Sequence, residues 1–263
     1  MINLKENLGI QNYGPQYFFV RENQNNNEEM IKKHMFIAKF ISNNYSNFKS
    51  LSFINYGRYE LVYVLELDDG KKYTLLINQP NIEYGLIRNE YINLNMLSRE
   101  NKVIKPIKYC TDGENELYIT PYVEQARCIG VEKDKWGVWV PEPNYHFREF
   151  SDNEQKIITT AMVSLLIKNY DEENELGLSK IRLDGGDFML RKGYEDSINY
   201  SGILRNIELV AAREMISISL DQYIKYLMDE LTTKTDSNVL VGKQLKRVLN
   251  KVDVADGILL GMK

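Results

Sequence analysis

The sequence predicts an α+β protein in two parts, a small antiparallel sheet with its helix and then a mainly helical portion. Three observations predict it. Apolar residues alternate with period two between Leu51 and Val123, punctuated by Asp-Gly turn signals. After Ser151 the apolar spacing becomes that of helices, and Pro141-Glu142-Pro143 separates the two regimes. The expected division is a helical segment over residues 1–50, a small sheet part over 51–127, a linker over 128–150 and a helical part over 151–263.

In the first fifty residues Met30, Phe36, Ile37, Phe40 and Ile41 recur near a 3.6-residue period, which predicts a helix with one core-facing stripe. Leu61, Tyr63, Leu65 and Leu67 then fall on one face of a strand, and Asp68-Asp69-Gly70 supplies the hairpin turn to a partner strand over 72–78. Pro80 ends that strand. Residues 83–99 follow as a helix with Leu86, Ile87, Glu90, Leu94 and Leu97 near one face. Strands over 103–110 and 116–123 flank Asp112-Gly113, so the order is strand, strand, strand, helix, strand, strand. A hinge is expected at Tyr122 to Gln125. Ser151 and Glu154 form a capping box that starts a buried helix ending near Tyr170. Short strands are expected around 178–183, 188–190 and 203–207, then helices over 208–231 and 239–260, the last interrupted by Gly242 and Gly257.

Composition narrows the function. With 33 basic and 37 acidic residues the net charge is −4, and binding of a nucleic-acid backbone requires clustered cations instead. No nucleic-acid partner is expected. Cys110 and Cys128 lack zinc-site spacing and read as reduced thiols. No stretch is long and apolar enough to span a membrane and Met1 to Gly9 carries no apolar leader pattern, so no membrane association and a cytoplasmic location are expected. His34 and His146 read as unrelated packing or surface residues.

Asn55-Tyr56-Gly57 before a strand, Val62-Tyr63-Val64, the run from Asp69 to Pro80, Glu90 in the next helix, and Pro106-Ile107 leading to Asp112-Gly113 resemble the small lobe of the aminoglycoside phosphotransferase and choline kinase-like family. That family is a branch of the protein-kinase fold. The resemblance implies a two-lobed kinase-like architecture, with Gly57, Glu90 and Tyr122 at the nucleotide. It also implies a basic residue on the third strand, oriented by the helix glutamate and holding the phosphates. Leu76 occupies that station.

The run Lys180 to Leu190 looks like the family's catalytic loop, with Arg182 where the base belongs and Asp187 at the metal-binding asparagine. Arginine stays protonated and cannot serve as that base. The later metal-binding aspartate falls on Asn206. A shifted register instead makes Asp184 the base with Asp187 or Glu208 on the metal. The resemblance therefore implies a degenerate member: a pseudokinase with no catalytic residue and no cofactor, serving as a binding or regulatory module for a protein partner. The alternatives are a divergent small-molecule phosphotransferase using ATP and Mg²⁺ through Asp184, Asp187 and Glu208, and a structural or interaction protein of another α+β fold.

Overall fold

The computed structural model describes residues 27–56, 59–97, 102–124, 126–132, 135–140, 146–181, 187–201, 204, 206–232 and 251–263. The protein is α+β, with antiparallel sheets and six helices among the described residues. It divides into two compact units, Met1–Asn95 with Lys105–Tyr122, and Met96–Ile104 with Val123–Lys263.

The first unit starts with α1 (Asn27–Asn44). Its stripe of Phe36, Ile37, Phe40 and Ile41 is buried because it covers one face of a five-stranded sheet: β1 (Phe48–Tyr56), β2 (Glu60–Leu67), β3 (Lys72–Asn78), β4 (Lys108–Thr111) and β5 (Glu116–Pro121). The sheet order is β1-β2-β3-β5-β4, with antiparallel pairing throughout. Leu61, Leu65, Leu75, Ile77, Leu117 and Ile119 face the helix. Burying each such side chain contributes about 1.5–3 kcal/mol to the unit's stability. Gly70 takes φ 82° and its N–H bonds the Leu67 carbonyl at 2.9 Å, so the predicted turn forms with glycine at the left-handed position. The helix expected over 83–99 is α2 (Leu86–Leu97). It lies on the other face of the sheet, where the Tyr91 ring meets Tyr109 at 5.5 Å and Tyr118 at 6.3 Å.

The second unit carries more sheet than the helical expectation contains. Residues expected as a linker form β6 (Arg127–Glu132), β7 (Lys135–Val140) and β8 (His146–Glu149), joined with β10 (Phe188–Leu190) and β11 (Ile207–Leu209) in the order β11-β10-β6-β7-β8. The run from Trp136 to Val140 is buried throughout, which favours a strand over a solvated connection. Gly130 and Gly137 lie opposite each other, and a Cβ on Gly137 would sit 2.2 Å from the Arg148 carbonyl oxygen. The two prolines fall in 141–145, outside the described residues.

Ser151 and Glu154 cap α3 (Asp152–Lys168) reciprocally, as the sequence predicts. The helix expected over 208–231 is instead β11, then β12 (Glu214–Ser217), then α5 (Leu220–Thr232), because pairing of β11 with β10 and of β12 with β9 (Leu176–Ser179) overrides helical periodicity. Of the last predicted helix the described part is α6 (Lys251–Gly261), and 233–250 with Gly242 lie outside the described residues. The short α4 (Tyr194–Ser201) completes the unit. Among the described residues no helix is long and apolar enough to cross a membrane.

Candidate functional site

Leu76 stands in the middle of β3, between Val62 and Tyr118 on the neighbouring strands. Cross-strand partners share a face, so these three side chains form an apolar and aromatic row on the face that α2 covers. Glu90 is only 2 % exposed on α2, within the buried stripe of Ile87, Leu94 and Leu97. The helix glutamate is therefore inside the fold, while the strand station expected to answer it offers a hydrocarbon side chain. Tyr122 is half-buried, its N–H bonds the Lys72 carbonyl at 3.3 Å, and the Lys72 ammonium lies 5.8 Å from its ring centroid. Gly57 lies outside the described residues.

In the second unit, Arg182 and Asp184 lie outside the described residues. Asp187 immediately precedes β10 and its carbonyl accepts Val210 N–H at 2.9 Å, which places it beside the end of β11. Asn206 precedes β11 and its carbonyl accepts Arg191 N–H at 2.8 Å, at the opposite end of the same ladder. At ~3.3 Å per residue the two stations are about 13 Å apart along the strands. One cation requires its oxygens within about 2.6 Å. Asn206, the degenerate position on which the resemblance places the family's later aspartate, therefore stands too far from Asp187 to share a cation with it. The reason is register: β11 runs antiparallel to β10 and carries its first residue away from Asp187.

The two carboxylates expected on a metal are both engaged by guanidinium groups. Asp187, 1 % exposed, is bound by Arg213, and Glu208, paired opposite Met189 on β10, is bound by Arg191. Among the described residues no group of three or more histidines, cysteines and acids is placed to hold a metal ion.

Sequence reasoning missed a polar network around Lys33. This lysine is buried on α1, and its ammonium donates to Asn78 Oδ1 at 3.2 Å and Asn115 Oδ1 at 3.1 Å. Asn78 Oδ1 also accepts Glu116 N–H at 3.0 Å, and Asn115 Nδ2 donates to the Asp112 carboxylate at 3.0 Å. Burial lowers the Lys33 pKa, and Glu29, Asp112 and Glu114 oppose that shift. The signal was available: Lys33 falls between Met30 and Ile37 on the apolar stripe, where a lysine needs partners. A second missed cluster centres on buried Tyr194, bound at its hydroxyl by Arg148, which also donates to Glu154 at 2.7 Å. Arg127 stands 5.8 Å from the Tyr194 ring centroid and is paired with Glu195.

His34 is half-buried and its Nε2 lies 3.0 Å from Tyr63 Oη. Burial lowers its pKa. A histidine whose folded pKa is depressed takes up its proton more readily when unfolded, so its contribution is complete above the unfolded value of about 6.5 and is lost as pH falls below it. Denaturation midpoints measured across this range are expected to fall on acidification, and His34→Gln is expected to flatten the dependence. An unchanged slope in the variant refutes the assignment.

No protein-family model matches the chain, and no curated protein matches its sequence.

Proposed function

We propose that the chain is a kinase-like scaffold without phosphotransfer chemistry, a pseudokinase that acts as a binding or regulatory module for a protein partner. Leu76 carries the reading. A third-strand leucine between Val62 and Tyr118 presents no charge to a nucleotide phosphate, and no rotamer of it supplies one. The reading is supported by the chain order of elements in the first unit, three strands, then α2, then two strands, which is the order in which the resembling segments follow one another. A divergent phosphotransferase using ATP and Mg²⁺ has less support, because Asp187 and Glu208 each already face an arginine.

The test combines a phosphotransfer assay with thermal unfolding, using ATP or GTP with Mg²⁺ or Mn²⁺. Expected are no turnover above a protein-free control and no rise in melting temperature with any nucleotide. Sustained metal-dependent turnover that co-elutes with the purified chain defeats the reading.

A further inference from the structure

The two edges of the first unit's sheet are built differently. The register of β1 on β2 shifts between Phe48 and Ser50 and again between Phe53 and Asn55, and Lys49 on this edge is paired with Glu66. Bulges of this kind hinder further strand pairing. Among the described residues the opposite edge is β4, a four-residue strand that pairs with β5 in an unbroken register from Lys108 to Thr111. Its outer side keeps alternate N–H and C=O groups that β5 cannot satisfy.

A groove of about 460 Å³, within the size range of ligand sites, lies between this edge and α1. Helix and edge are tied together at both ends. Lys33 of α1 binds Asn115 in the β4–β5 turn at one end, and Lys108 of β4 binds Asn44 of α1 at the other. Between the two ties the gap is lined by Met35, Phe36 and Phe40 on the helix and by Cys110 and Thr111 on the strand. Met35 is 65 % exposed, so its side chain is open to a segment lying in the groove. Charge is segregated around the groove, with Lys32 and Lys39 on the helix wall and Asp112 and Glu114 at the turn end.

From this we infer that the α1–β4 groove is a docking site for an extended segment of a partner protein, which adds to the sheet as a strand beside β4. Its apolar side chains pack on Met35 and on the groove-facing edges of the otherwise buried Phe36 and Phe40, and an acidic side chain on the helix side meets Lys32 and Lys39. Edge addition supplies main-chain hydrogen bonds, while the apolar wall and the two lysines select the side chains. The two ties hold the walls in place before binding, which lowers the ordering cost. The inference rests on the binding-module reading and names the class of partner and where it binds.

The probe is a phage-displayed library of random peptides of about twelve residues, selected on the whole chain. Enriched sequences are expected to alternate apolar with polar positions and to include an acidic residue. The best peptide, made synthetically, should slow amide hydrogen exchange along β4. Its affinity should fall about tenfold, equivalent to about 1.4 kcal/mol, in each of Met35→Glu and Lys39→Glu, and remain unchanged in Met262→Glu, an exposed control in the other unit. Both test positions are exposed, so circular dichroism of the variants should match the wild type. Absence of enrichment, a footprint away from β4, indifference to Met35→Glu, or a Met35-dependent homodimer filling the groove each overturns the inference. None of these outcomes bears on phosphotransfer, which the nucleotide assay decides separately.

Discussion

Gly257→Leu is expected to destabilise the unit that contains α3 and α6 by about 3 kcal/mol. A Cβ at Gly257 would stand 2.6 Å from Val163 Cβ and 2.8 Å from the Thr160 carbonyl oxygen, and one at Gly261 would stand 2.6 Å from Ile167 Cβ. Two glycines four residues apart on α6 thus let it approach α3 at main-chain distance. A side chain at position 257 forces the helices apart and opens the contacts of Val254 and Ile258, both buried beside it. Trp136 and Trp139 are buried in the same unit and report its unfolding by fluorescence in a urea titration. Gly257→Ala should fall between wild type and Gly257→Leu, while Leu259→Ala, at a position 59 % exposed, should change the midpoint little. A wild-type midpoint for Gly257→Leu refutes the close crossing.

The same glycine shows where the sequence was legible and where it was not. Read alone, Gly257 lowers helix propensity and marks an interruption. Its cost is offset by a helix almost a hundred residues earlier, and no local pattern reveals that partner. Features that depend on near neighbours were readable: the capping box of Ser151 and Glu154, the Asp68-Asp69-Gly70 turn, the stripe of α1, and the chain order of elements in the first unit. Features that depend on long-range pairing were not. Residues 208–217 have helical apolar spacing, yet they form β11 and β12 because β10 and β9 offer edges to pair with.

The candidate site divides along the same line. Leu76 and Glu90 sit on the strand and helix predicted for them, since each depends on a local run. The burial of Glu90 follows from its spacing to Ile87, Leu94 and Leu97, which the sequence shows. The separation of Asn206 from Asp187 was not legible, because it is set by the direction of β11, a property of the pair of strands. The arginines that answer the acids were equally out of reach: Arg213 lies 26 residues from Asp187, and nothing in the sequence between them specifies the contact.

That contact yields a further expected result, Arg213→Leu. Asp187 is almost completely buried, so removing the facing guanidinium leaves a carboxylate in a medium that solvates it poorly. Losing one partner of a buried ion pair costs about 3–5 kcal/mol, more than the net worth of the intact pair. Asp187→Asn in the Arg213→Leu background removes the charge that lost its Arg213 partner and is expected to recover part of the loss, so the two effects are non-additive. The same experiment separates a structural ion pair from a metal ligand. If Asp187 held Mg²⁺ in the wild type, saturating Mg²⁺ would raise the wild-type midpoint by mass action, by about 2.7 kcal/mol at a hundred times the dissociation constant. The ion pair predicts no such rise, because Arg213 already occupies the carboxylate and a divalent cation must displace a bound guanidinium before it gains anything. A Mg²⁺-dependent rise in the wild type that Asp187→Asn abolishes would return this residue to the metal-binding role and reopen the case for phosphoryl transfer.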